Sequence, residues 1–189
     1  MKRYAPVMNS IQLFGWLLIL IRSLYFLDDC PRSLLALTFV VQLLNVYDLL
    51  LIINGKRTGK KITWLLQNSA RLIFTGLLLL AKRYTVEFKI SAFDAASLLL
   101  IAWSFSEVIR FLFYLFKTKL LKLLRYNAFL ILYPLGVVLE LLWMYHLYKE
   151  LLFPGLKYFL VILALAYLFG FPYLFLYLFR SRTKKIKNE

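Results

Sequence analysis

Six apolar stretches, each close to the length a helix needs to cross a bilayer, take up most of the chain: roughly 10–27, 33–53, 62–81, 91–116, 126–148 and 158–179. About 20 residues of helix span the hydrocarbon core, and in lipid a helix satisfies its backbone polar groups within the segment itself. With 189 residues in all, little remains for a soluble domain. At 62% hydrophobic and 18% aromatic the chain is also well beyond the apolar half of a soluble domain. The expected fold is an all-α integral membrane protein: one domain, a bundle of six transmembrane helices, with a basic tail at 180–189. The start, "MKRYAPVMNSIQLFGWLLILIRSLYFL", has basic residues before its apolar run but no small-residue cleavage site after it, so it is expected to stay as the first span.

Charge then predicts orientation. The chain carries 24 Lys and Arg against 9 Asp and Glu, a net charge of +15. The N-terminus, the 54–61 and 117–125 connectors and the tail hold 15 of the cations, whereas the opposite connectors hold 6. By the positive-inside rule both termini face the cytosol. These cations punctuate apolar segments and build no continuous basic domain, which argues against nucleic acid as a partner. Cys30 is the single cysteine and His146 the single histidine, so no internal disulfide and no metal-ligand spacing is expected. The tail "RSRTKKIKNE" resembles a dilysine-type retrieval signal of the endoplasmic reticulum, and it equally suits an ordinary positive-inside anchor.

The spans carry groups that insert poorly. Arg22, Asp48, Arg71, Asp94, Glu107, Arg110 and Glu140 all fall within them, each at a cost of about 2.5 to 3.5 kcal/mol at the helix centre, so they are expected to face the bundle interior or a wet cavity. In "WSFSEVIRFLFY", Glu107 and Arg110 are three residues apart and share a helix face, where structural pairing is the favoured reading. Arg71 needs a buried anion from Asp48, Asp94 or Glu107; a substrate-binding role for Arg71 or Arg110 is the alternative.

Glu140 differs, because no cation stands three or four positions to either side of it in "LYPLGVVLELLWM". Tyr133 precedes it by seven residues. The two side chains therefore lie within about 20° of one another on one face, roughly 10 Å apart along the axis. Gly136 falls between them and is expected to open a groove for a slender substrate. Pro134 frees the carbonyl of Leu130 and is expected to bend the helix. A carboxyl and a phenol on one wall are groups that acid–base chemistry uses. The competing reading pairs Glu140 with a cation from another span and leaves Tyr133 interfacial.

"LLRYNAFLILYPLGVVLEL" (123–141) and "WSFSEVIRFLFYLF" (103–116) resemble the signature segments of the 3-hydroxyacyl-CoA dehydratases of very-long-chain fatty acid elongation, once called protein tyrosine phosphatase-like. "APVMNSIQLFGWLLIL", "VYDLLLIING" and "QNSAR" echo the family in the same order. The resemblance covers spans one to five, and its most specific element is Arg-Tyr followed by Tyr-Pro-x-Gly-x-x-x-Glu. It implies a six-span enzyme of the endoplasmic reticulum that removes water from a (3R)-3-hydroxyacyl-CoA to give the trans-2-enoyl-CoA. No cofactor is implied; elongase and reductase enzymes are the implied partners. The catalytic pair falls on Tyr133 and Glu140, with supporting positions at Arg125, Tyr126, Gly136, Glu107, Arg110 and Arg71. Asn127, Leu123, Ala70, Asp48 and Leu51 depart from the family pattern. Lys117, Lys119, Lys122 and Arg125, at the cytosolic mouth of the fifth span, are candidates for the CoA phosphates. Cys30 in "DDCPR" lacks the phosphate-cradling loop of a cysteine phosphatase. Two other readings share the spans: a non-catalytic scaffold for elongation enzymes and a small transporter. The intact Tyr133–Glu140 pair argues against the first, and the lack of paired broken helices against the second.

Overall fold

A computed structural model describes residues 4–54, 61–83, 88–150 and 153–187. Among these the chain forms six helices: α1 (Tyr4–Tyr25), α2 (Arg32–Ile53), α3 (Lys61–Arg83), α4 (Ala95–Phe116), α5 (Lys119–Glu150) and α6 (Pro154–Lys187). A two-stranded hairpin, β1 (Lys89–Ile90) and β2 (Phe93–Asp94), stands before α4. Among the described residues, four helices are long and apolar enough to cross a membrane: α1, α4, α5 and α6. Large apolar side chains point outward from them, including Phe14, Ile21, Ile131 and Phe169, each more than 60% exposed. Such an apolar exterior is suited to lipid and poorly suited to water.

Helix α4 lies at the centre, packed on α1 along one side and on α5 along the other. Helix α2 packs on α1 and α3, and α6 packs on α5. The seam that α1 turns inward reads Asn9, Gln12, Trp16, Ile19 and Ser23, the alternating three- and four-residue spacing of one helix face. The core joins Trp16, Ile19, Leu34 and Leu35 to Phe74, Leu78, Leu99, Leu100, Phe111 and Trp143. Three buried hydroxyls are satisfied within their own helices: Ser23 donates to the Ile19 carbonyl, Thr38 to Leu34 and Ser104 to Leu100, the i−4 bonding expected where water is absent.

The helix ends correct two expectations. The fourth helix starts at Ala95 and not at Ser91, so Asp94 stands just before its first turn. It is the N-cap, accepting from the Ala96 N–H at 2.8 Å, because a short carboxylate satisfies an orphan amide of the first turn. Ser91 just before it has a positive φ of 61° and turns the hairpin. Asp94 also accepts from the Cys30 N–H at 3.1 Å and pairs with Lys82 at 3.0 Å, while Lys82 reaches Asp29 at 2.7 Å. Burial on its own lowers the Lys82 ammonium, but its hydrogen bonds to Asp29 and Asp94 outweigh that and raise it. The same hydrogen bond from Lys82 lowers Asp29.

The second correction concerns 117–125, which reads as a connector by charge but is helical from Lys119. Lys117 adopts the left-handed conformation (φ 50°, ψ 30°) and closes α4 by donating to the Phe113 carbonyl. Thr118 then accepts from the Leu121 N–H and caps α5. This two-residue turn folds α5 back along α4. Helix α5 continues through Pro134 as one unbroken helix. Lys2, Arg3, residues 55–60 and the side chains of Asp48, Leu51 and 181–189, on which parts of the charge and motif readings rest, lie outside the described residues.

Candidate active site

A cavity of about 510 Å³ opens among α3, α4, α5 and α6. One stripe of α5 supplies Arg125, Ala128, Phe129, Leu132, Tyr133, Gly136, Val137 and Glu140 to its wall, the i, i+3, i+4 pattern of a single helix face. At 1.5 Å per residue that stripe runs about 22 Å from Arg125 to Glu140. The co-facial placement of Tyr133 and Glu140 anticipated from spacing is thus present, and both side chains look into the same space.

Glu140 is 5% exposed. Its Oε1 accepts from the Trp103 indole N–H at 2.9 Å, and the Tyr167 phenol hydrogen-bonds the same carboxyl. Both partners are neutral groups, one from α4 and one from α6, so the carboxyl is oriented from two helices without a salt bridge. Trp103 is itself held: Phe74 meets it edge-on at 6.1 Å, and the Arg71 guanidinium lies over its ring at 5.6 Å. Gly136 lines the cavity, and this indole lies beside it. A Cβ at Gly136 would sit 3.7 Å from Trp103 Nε1. That is ordinary van der Waals distance, so the Trp103–Glu140 bond does not depend on the missing side chain, and the open space lies beside it. Tyr133 stacks on Phe171 at 5.2 Å and on Phe175 at 6.5 Å, which holds the phenol against α6.

The polar groups of α3 and α4 form a second layer. Arg71 and Arg110 each reach Glu107, both at 2.5 Å, on its two separate carboxylate oxygens. Of the anions offered to Arg71 by sequence, the Asp48 side chain lies outside the described residues, and of Asp94 and Glu107 it is Glu107 that Arg71 meets. Arg110 also donates to Asn45 at 3.3 Å. Pairing here answers the cost of burying these charges, and because Arg71 lies on Trp103, the ion cluster reaches the catalytic candidate Glu140 through one aromatic ring.

At the other end, Arg125 donates to the Tyr114 hydroxyl at 3.3 Å and lies over the rings of Phe113, Tyr114 and Tyr126 at 4.9, 4.8 and 5.9 Å. Tyr126 thus supports the arginine from outside the cavity wall. Lys117 and Lys119 are exposed beyond the mouth, and Lys122 is half-buried there; none of the three lines the cavity. Sequence reasoning missed Trp103 and Tyr167. Trp103 lies inside a recognised segment, but its bond to Glu140 spans two helices. Tyr167 lies in the sixth apolar stretch, where its only signal is a shared face with Leu163, Gly170, Phe171 and Leu174.

No solved structure matches the chain. A relative from Caenorhabditis elegans, "Very-long-chain (3R)-3-hydroxyacyl-CoA dehydratase hpo-8", is 29% identical over 97% of this chain and 94% of its own length. A "Probable very-long-chain (3R)-3-hydroxyacyl-CoA dehydratase" of Schizosaccharomyces pombe is 30% identical over 74% of this chain and 71% of its own. "Very-long-chain (3R)-3-hydroxyacyl-CoA dehydratase 1" of Canis lupus familiaris is 33% identical across 51% of this chain and 47% of its own. The model of one family, described as protein tyrosine phosphatase-like protein, PTPLA, matches residues 42–188. That span takes in the whole cavity wall, from Ser69 on α3 to Leu174 on α6. Cys30 falls outside it, fully buried, with burial pushing its thiol up to about 12, the reverse of the thiolate a cysteine phosphatase needs. The matched segment contains the stripe from Arg125 through Tyr133 to Glu140, and by this match the chain belongs to the protein tyrosine phosphatase-like, PTPLA, family.

Proposed function

We propose that the protein is a (3R)-3-hydroxyacyl-CoA dehydratase acting on very-long-chain substrates, in the dehydration step of fatty acid elongation. The observation that carries this reading is Glu140: a buried carboxyl, oriented by Trp103 and Tyr167, facing the same cavity as the Tyr133 phenol. Dehydration needs a base for the proton on the carbon beside the thioester and an acid for the hydroxyl that leaves from the next carbon. Glu140 takes the first proton. Tyr133 hydrogen-bonds the hydroxyl or the thioester oxygen, where charge develops. The C–O bond breaks as the C=C bond forms, water carries away the hydroxyl with one proton, and no electron donor or acceptor is required.

Arg125, fixed by its aromatic neighbours at the cavity mouth, suits the pantetheine end of the substrate, and Lys117, Lys119 and Lys122 suit the CoA phosphates outside it. This order supports a topology of six spans with both termini in the cytosol of the endoplasmic reticulum membrane, the CoA entering from the cytosolic side. Elongase and reductase enzymes of the same cycle are the partners this reading implies.

The test is to incubate the purified protein with a very-long-chain (3R)-3-hydroxyacyl-CoA and follow the trans-2-enoyl-CoA by chromatography. Product is expected from the wild type and not from Glu140→Gln or Tyr133→Phe. A well-folded wild type that makes none would overturn the proposal.

A further inference from the structure

Three of the four seams around the cavity are closed. Helices α3 and α4 are bridged by Arg71 with Glu107 and by Phe74 with Trp103. Helices α4 and α5 meet through Trp103 and Glu140, and α5 and α6 through Tyr133 with Phe171 and Phe129 with Phe175. The fourth seam differs. Among the described residues α3 packs mainly on α2 and α6 mainly on α5, and contact between the two is slight at most.

The residues bordering that gap behave accordingly. Ser69 and Ile73 on α3 and Ala166 on α6 line the cavity and are exposed on the outside of the molecule as well. A side chain that is both interior lining and exterior surface marks where a cavity opens. The α6 border is low, since Ala166 and Gly170 lie four residues apart, and a Cβ at Gly170 would meet nothing within 4 Å. Ser69 and Ile73 lie about 21 and 15 Å from the α3 end at Arg83, and Gly170 and Ala166 about 24 and 18 Å from the α6 start at Pro154, at 1.5 Å per residue. These distances fall within the thickness of a hydrocarbon core, about 30 Å.

The volume sets what passes through. A cavity of about 510 Å³ is the size that encloses a drug-sized molecule, and pantetheine together with a very long acyl chain exceeds it. We infer that the gap between α3 and α6 is a lateral port through which the acyl tail of the substrate leaves the cavity and lies in the bilayer. This rests on the acyl-CoA reading above. The reacting carbons stay between Tyr133 and Glu140, the CoA end is held toward Arg125, and the tail is solvated by lipid and never fully enclosed. Such a site accepts long chains without a pocket of matching length.

The experiment compares two substrates, 3-hydroxybutyryl-CoA and a very-long-chain 3-hydroxyacyl-CoA, on wild type, Gly170→Phe, Ala166→Phe and Leu168→Phe in lipid nanodiscs. The readout is the ratio of kcat/KM for the long substrate to that for the short. Filling the gap from either residue is expected to lower this ratio about tenfold, the worth of roughly two methylene groups of displaced contact. Leu168 faces outward, 64% exposed, and its variant is expected to keep the wild-type ratio. An unchanged ratio in a folded Gly170→Phe or Ala166→Phe protein overturns the port. Two variants guard against one failing to fold. A wild type inactive on both substrates refutes instead the dehydratase reading, which is a separate outcome.

Discussion

Replacing Trp103 with phenylalanine removes the indole N–H that holds Glu140 Oε1 at 2.9 Å and keeps an aromatic ring for Arg71 and Phe74 to rest on. A hydrogen bond to a charged group is worth about 1.5 to 3 kcal/mol when its partner stays buried, and Glu140 stays buried. If the bond serves to aim the carboxyl at the substrate, that energy is lost from the transition state. Each 1.4 kcal/mol is tenfold in rate, so kcat should fall about ten- to a hundredfold. KM should stay within about twofold, because Trp103 is assigned no contact with the CoA end. The assay is steady-state dehydration of a (3R)-3-hydroxyacyl-CoA by detergent-purified protein, with size-exclusion and thermal unfolding to show that the variant is folded. Tyr167→Phe deletes only the hydroxyl that meets the same carboxyl from α6 and should give a loss of the same order. Adding Trp103→Phe to Glu140→Gln should cost nothing further, since both changes act through one group. Folded Trp103→Phe and Tyr167→Phe proteins with kcat within twofold of wild type would refute the orientation argument.

Other outcomes follow from the ion cluster and the hairpin end of the bundle. Glu107→Ala leaves Arg71 and Arg110 without the carboxylate that each meets at 2.5 Å, and should lower stability by about 3 to 5 kcal/mol, measured by thermal unfolding. Asp94→Ala removes the α4 cap, the acceptor for the Cys30 N–H and a partner of Lys82; the expected loss is about 2 to 4 kcal/mol, with Asp94→Asn recovering part of it by keeping an acceptor at the cap. Cys30 should resist maleimide in the folded protein at pH 8 and react once denatured, because its thiol is buried and raised from 9.0 to about 12. For the same group, the unfolded chain loses its proton first, so stability should fall as pH rises from about 9 toward 12 and be flat below that.

Much of the site was legible because it repeats along one helix. The seven-residue step from Tyr133 to Glu140 and the three-residue step from Glu107 to Arg110 follow from helical periodicity alone, and both pairs share a face in the structure. Periodicity says nothing about what stands opposite. Gly136 reads as part of a groove, with no sign that the α4 indole stands beside it, and Glu140 reads as partnerless until Trp103 and Tyr167 arrive from two other helices. Charge patterning has a similar limit: it identified 117–125 as basic, but Thr118 capping and the Leu-rich sequence make most of that segment helix.

The sequence by itself determined that this is a helical, lipid-compatible chain, with a phenol and a carboxyl aligned on one face of its fifth apolar stretch, because hydrophobicity and helical pitch act locally. Which neutral donors orient that carboxyl, and which of the described anions meets Arg71, were decided by the tertiary structure. Those are contacts between helices far apart in the chain, set by how side chains of particular size pack across a seam, and no local pattern encodes them.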